Sequence, residues 1–141
     1  GMSDCIFCKI ASGDIPCAKV LETPDCVAFL DIAPLAPGHT LLIPRQHIAD
    51  IILAPSEMVT SLALELPRLA QAVIQSSGAS GLNILQNTGA SSGQAVFHLH
   101  IHLIPRREGD SLGFRWNPGS YGTGEGEAMR QRIVAALSSS I

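Results

Sequence analysis

Val96-Phe97-His98-Leu99-His100-Ile101-His102-Leu103-Ile104-Pro105-Arg106 sets apolar and imidazole side chains in strict alternation. Side chains along a strand repeat every two residues, so this pattern predicts a half-buried β-strand over 96–106. His98, His100 and His102 then line one face, while Phe97, Leu99, Ile101 and Leu103 line the other and look toward a core. The chain has five histidines in all, and three stand here. Thr, Lys and Glu are the usual residues of a solvated sheet face. A shared zinc is no better an explanation. Same-face neighbours stand roughly 7 Å apart, too far for three consecutive rings to reach one ion through ~2 Å bonds. Phosphate or acyl chemistry remains, with one neutral imidazole as nucleophile or base and its neighbours supplying hydrogen bonds.

The segment feeding this strand, Asn87-Thr88-Gly89-Ala90-Ser91-Ser92-Gly93-Gln94-Ala95, is polar and carries two glycines. Such a loop presents backbone N–H groups to an anion, because glycine permits close approach and positive φ. Asn87 and Gln94 add neutral donors. Alone it would read as a turn; joined to the histidine strand it reads as an anion cradle.

Around these two segments the chain predicts α+β architecture, with a five-stranded antiparallel sheet, one long helix and short terminal helices. Residues 5–12 form one or two helical turns stopped by Gly13. Strands are expected at 18–22, 25–31 and 39–44, parted by Thr-Pro-Asp and Pro-Leu-Ala-Pro-Gly turns. Ser56 is the expected N-cap of a helix over 57–77, where Met58, Leu62, Leu66, Leu69 and Val73 recur at helical spacing. Pro67 inside that run predicts a kink. A strand at 82–86 precedes the histidine strand. A last helix over 125–138 presents Met129, Ile133, Val134 and Leu137. There is no internal repeat and no linker, so residues 1–141 read as one domain; Gly1 ahead of Met2 is set aside as foreign to the native chain.

Composition narrows the function. A formal charge of −3, with nine Lys and Arg in all, offers no broad basic surface for a nucleic-acid polymer, though a mononucleotide needs only a local cradle. No apolar run suits a membrane span and no leader pattern is visible, which points to the cytoplasm. Cys17 and Cys26 fall in or beside strands and read as small buried hydrophobes. Cys5-x-x-Cys8 differs, since that spacing suits two thiolates on one tetrahedral zinc.

The stretch Gly93-Gln94-x-Val96-x-His98-x-His100-x-His102-x-Ile104-Pro105-Arg106 resembles the motif of the histidine-triad (HIT) nucleotide hydrolases and transferases. Cys5-Ile6-Phe7-Cys8-Lys9-Ile10 resembles that family's opening. Ala28-Phe29-Leu30-Asp31-Ile32-Ala33-Pro34 and Pro37-Gly38-His39-Thr40-Leu41-Leu42-Ile43-Pro44 resemble its middle strands, while 107–141 falls in a variable C-terminal segment.

The resemblance implies a HIT-like fold and a two-step mechanism. His100 attacks the α-phosphorus of a nucleotide and forms a covalent nucleotidyl-histidine, which water then hydrolyses. His102 donates to a non-bridging oxygen, and backbone N–H groups around Gly93, Gln94 and Ala95 stabilise the developing charge. Gln94 and Asn87 position phosphate and leaving group. Asp31 receives the ribose hydroxyls, although an Asp at this place also initiates turns. Ile32, Phe7 and Ile10 sandwich the base, with ordinary core as their other reading. His39 lies near His100 and fixes its ring.

Structural zinc is expected on Cys5, Cys8, His47 and His98, as in bacterial-type relatives, with no catalytic metal required. Relatives pair through the long helix and an edge strand, which implies a homodimer. Asp31 and Asn87 resemble the phosphoramidase, Hint-like branch. Pro37-Gly38-His39 and Ile104-Pro105-Arg106 look more like the fragile-histidine-triad branch, which prefers dinucleoside polyphosphates. A purine nucleoside phosphoramidate, carrying adenosine or guanosine, is therefore the first expectation. A dinucleoside polyphosphate is the second, and a non-catalytic nucleotide- or partner-binding module the third. Leu112–Pro118 is expected to influence the leaving group.

Overall fold

A computed structural model describes residues 4–112 and 117–139. Gly113, Phe114, Arg115 and Trp116, named above for leaving-group preference, lie outside the described residues. The chain divides into two compact units, 1–111 and 112–141. The first holds helix α1 (Ile6–Ser12), strands β1 (Lys19–Glu22), β2 (Cys26–Leu30) and β3 (Thr40–Pro44), helix α2 (Ser56–Ser77), and strands β4 (Gly81–Gln86) and β5 (Ile101–Arg106). The second holds helix α3 (Glu125–Ser139), on which Met129, Ile133, Val134 and Leu137 are exposed.

The strands form one sheet in the order β1-β2-β3-β5-β4, antiparallel at each pairing. β2 and β3 are apolar almost throughout because both faces of the sheet centre are covered. On one face Ala28, Leu42, Leu99 and Leu103 pack with Leu62 and Leu69 of α2. On the other, Val27, Phe29, Leu41 and Ile43 pack with Phe7 and Ile10 of α1. His102 pairs with Leu41 across the β3–β5 ladder, so it stands on the α1 side.

Three local expectations need correction. Pro55, not Ser56, occupies the N-cap position of α2, and no side chain caps it. Ser56 is the first helical residue, and its carbonyl accepts from the Thr60 hydroxyl. α2 continues through Pro67 to Gly78, which closes it in the left-handed region at φ 71°. The predicted strand at 96–106 begins only at Ile101. Upstream, a loop rather than a strand supplies the partners: the Leu99 N–H donates to the Ile48 carbonyl at 2.7 Å, and Gln94 Nε2 donates to the Ala49 carbonyl at 2.8 Å. Phe97, expected in the core, is exposed, whereas Leu99 is fully buried.

Candidate active site and metal cluster

His39, His98 and His100 each have their tautomer set by a backbone group, and His102 takes its own from His39. A carbonyl only accepts and an amide N–H only donates, so the protons can be placed from the partners. His98 Nε2 donates to the Pro44 carbonyl at 2.8 Å, which leaves Nδ1 with a lone pair. His100 Nδ1 donates to the His98 carbonyl at 2.7 Å, which leaves Nε2 with a lone pair. The Leu35 N–H donates to His39 Nδ1 at 3.0 Å, so the His39 proton sits on Nε2. His39 Nε2 then donates to His102 Nδ1 at 2.9 Å, and the His102 proton is left on Nε2. The result is a nucleophilic nitrogen on His100 beside a hydrogen-bond donor on His102, their ring centroids 5.0 Å apart.

Burial and the neighbouring rings of His100 and His39 push the pKa of His102 down to about 4, against a smaller opposing pull from Asp31. Burial also lowers that of His39. Both rings are therefore neutral near pH 7, as the hydrogen-bond chain requires. His39 was expected to orient His100; it orients His102 instead. His100 owes its orientation to the His98 carbonyl and to the Phe7 ring, whose centroid lies 5.1 Å away, edge to face.

His98 faces a different partner set. Its Nδ1 lies 3.4 Å from Cys5 Sγ and 3.5 Å from Cys8 Sγ, and His47 Nδ1 lies 3.4 Å from Cys8 Sγ. The four ligand atoms sit within 4.8 Å of one another. The donor set fits zinc: two sulfurs, two imidazole nitrogens, and a His98 whose other nitrogen is held by a carbonyl. Burial and the Cys5 thiol push the Cys8 thiol up to about 11. A dication reverses that preference, because a coordinating thiol is deprotonated. Phe7, between the two cysteines on α1, packs edge to face against His98 and His100 alike.

Asp31, His39 and His102 form a second compact group. It suits a metal poorly. His39 Nδ1 already accepts an amide N–H, so Nε2 could ligate only as an imidazolate. Asp31 Oδ1 accepts the Ala33 N–H at 2.9 Å, the turn-initiating bond, and Oδ2 lies 3.7 Å from His39 Nε2.

The loop expected to cradle an anion is largely occupied with its own geometry. The Gly93 and Gln94 N–H groups donate to the Ala90 and Gly89 carbonyls, which leaves Ala95 as the member of that trio not engaged within the turn. Gln94 is buried; its Oε1 accepts from the Gly89 N–H and its Nε2 donates to the Ala49 and Val96 carbonyls. It clips the loop shut rather than reaching for phosphate. Gly93 adopts φ 108°, and a Cβ there would come within 3.3 Å of Asn87 Nδ2. Asn87 thus lies against the loop at Gly93.

Of the residues expected to sandwich a base, Phe7 and Ile10 are buried in the α1-side core, the other reading given for them, and Ile32 is 95% exposed. The sequence reading missed the carbonyls of Pro44 and His98 and the Leu35 N–H. Backbone groups are common to nearly every residue and leave no compositional trace.

The HIT domain family model matches residues 12–109. Adenylylsulfatase HINT3 of Arabidopsis thaliana is 41% identical over 110 residues, spanning 78% of this chain and 56% of that protein, so the chain covers about half of that relative's length. Adenosine 5'-monophosphoramidase hnt1 of Schizosaccharomyces pombe is 39% identical, over 94% of this chain and 98% of its own. A Zn-bound histidine triad family protein from Mycobacterium smegmatis superposes with a TM-score of 0.75 at 38% identity, over all of both chains.

Proposed function

This chain belongs to the HIT family, and from that premise we propose that it is a nucleotide hydrolase acting at the α-phosphate of a purine nucleoside phosphoramidate. The observation that carries the reading is the free lone pair on His100 Nε2, set by the Nδ1–H bond to the His98 carbonyl at 2.7 Å. His100 Nε2 forms a bond to the α-phosphorus as the P–N bond to the amine breaks, and the amine departs with a proton taken from solvent, which the attacking water of the second step gives back. Water then attacks the phosphorus, the P–N bond to His100 breaks, and the nucleoside monophosphate leaves. Two easier displacements replace one difficult one. The His102 Nε2–H binds a non-bridging oxygen, and the Ala95 N–H is the backbone donor open to the developing charge, worth about 3 kcal/mol if well aimed. Asp31 Oδ2 receives the ribose hydroxyls, and Ile32 covers one face of the base. Relatives named adenylylsulfatase and adenosine 5'-monophosphoramidase support the same bond position.

Zinc on Cys5, Cys8, His47 and His98 belongs to the same proposal; it supplies a cross-link between α1, the loop after β3 and the histidine segment, and no step of the reaction. A homodimer does too. Leu64 on α2 and Ile84 on edge strand β4 are exposed apolar side chains on the elements through which relatives pair. Reduced thiols are needed for the cluster, and all four cysteines are free, which suits the cytoplasm.

The test is a panel of adenosine and guanosine phosphoramidates, dinucleoside polyphosphates and nucleotidyl sulfates, with mass spectrometry of the quenched protein. Fastest turnover on a phosphoramidate, with a nucleotidyl increment on His100, is expected. Preference for the dinucleoside substrates reassigns the leaving group. Tight binding without turnover across the panel sinks the enzyme reading in favour of a binding module.

A further inference from the structure

We propose that the Cys5–Cys8–His47–His98 cluster holds the nucleophile in its reactive orientation through the His98 carbonyl, so that metal occupancy governs turnover as well as stability. This rests on the reading of His100 as nucleophile and of the cluster as a divalent-metal site.

His100 lies one residue before β5, outside the regular ladder. Three neighbours border its ring: the His98 carbonyl that accepts its Nδ1–H, the Phe7 ring at 5.1 Å and the His102 ring at 5.0 Å. The first two lead to the cluster. His98 offers its Nδ1 there, and Phe7 stands between Cys5 and Cys8 on the first turn of α1. The segments so joined are remote in sequence, with Cys5 and His98 separated by 93 residues and Cys8 and His47 by 39. Sulfur–imidazole contacts of 3.4–3.5 Å and the edge of the Phe7 ring, its centroid 6.0 Å away, tie the His98 ring to α1. A cation would replace the sulfur–imidazole contacts with directed bonds of about 2.0–2.3 Å. One carbonyl therefore belongs to a ligand of the cluster and positions the attacking ring. His98 is a positioning residue for His100, and the cluster holds the His98 ring from its Nδ1 side while the Pro44 carbonyl holds it from Nε2.

The test strips the protein of metal with a chelator under reducing conditions, well below its melting temperature. Circular dichroism checks the fold, calorimetry measures AMP affinity, steady-state kinetics separates kcat from KM, and 15N NMR follows the His100 Nδ1–H. The expected result is a retained fold and AMP affinity, a kcat lower by about 100-fold, as for a reacting group displaced by an ångström, and loss of the bonded Nδ1–H signal. Zn2+ or Co2+ restores each, with the thiolate-to-cobalt band reporting occupancy. Cys8→Ser should reproduce the stripped state. Where stripping unfolds the chain, exchange of Zn2+ for the larger Cd2+ tests the linkage in folded protein, and kcat and the Nδ1–H shift should both change with the ion.

A kcat and Nδ1–H signal indifferent to occupancy and to the ion would overturn the proposal. Failure to bind Zn2+ or Co2+ would overturn it together with the metal reading. A metal-dependent Nδ1–H signal in a loaded protein that turns over nothing would support the linkage while sinking the hydrolase reading.

Discussion

Three histidines in one motif hold three different positions because each meets a different partner. Pro44 aims His98 at the thiols, the His98 carbonyl leaves His100 a lone pair on Nε2, and the Leu35–His39 chain leaves the His102 proton on Nε2. His100→Asn should lower turnover by about a thousandfold or more while nucleotide binding survives, as for other lost nucleophiles. Steady-state kinetics beside calorimetry checks this. If His102→Ala proved the more damaging, the central assignment would be wrong. His39→Gln retains an amide able to donate to His102 Nδ1 and a carbonyl able to accept from Leu35; His39→Phe retains only bulk. The first should keep most of kcat and the second lose it with KM little changed, because the donor is aimed at charge that develops in the transition state. Equal losses in both variants would show that shape, not the hydrogen bond, is what His39 supplies.

At the scale of elements, α1 and α2 divide the work. α1 covers the face that carries the histidines, with Cys5 as its N-cap and Phe7 and Cys8 in its first turn, so one short helix serves the cluster, the core and the His100 ring. α2 covers the opposite face, away from the chemistry. Leu62 on α2 is 1% exposed, so Leu62→Ala should cost about 3 kcal/mol of stability through lost transfer energy and the cavity left behind. Denaturant unfolding measures that cost, and kcat below the melting transition should be unaltered. The outer side of α2 and the edge strand β4 carry Leu64 and Ile84. Leu64→Glu combined with Ile84→Lys should convert a dimer to a monomer in sedimentation velocity; an unchanged dimer would place the interface elsewhere.

For the molecule as a whole, acid is the expected point of weakness. Burial holds His102 at about 4 and lowers His39, so the folded state binds fewer protons than the unfolded chain below the ordinary histidine value of about 6.5. Stability attached to these groups is complete above about 6.5 and is lost as pH falls toward about 4. Thermal unfolding across that window should show the decline, and His102→Asn should flatten it; a melting temperature independent of pH there would contradict the buried neutral pair. Much of this molecule is legible in one dimension. Turn residues, apolar runs and helical spacing placed the first four strands and two main helices, because burial imposes a period on one covered face and an apolar run on two. Cys5-x-x-Cys8 pointed to the cluster, because that spacing lets two thiols converge on one point. Where the alternation stops meaning a strand, at His100, depends on the competing Ile48 carbonyl. Whether Gln94 points at ligand or at Ala49, and whether His39 serves His100 or His102, were settled by contacts between residues far apart in the chain. The sequence by itself determined which imidazoles and thiols share a face or a turn, since residue type and local period are written in it. Only the tertiary structure decided which nitrogen of each ring is free, since the partners are backbone groups, and for His102 the His39 ring, brought near by folding.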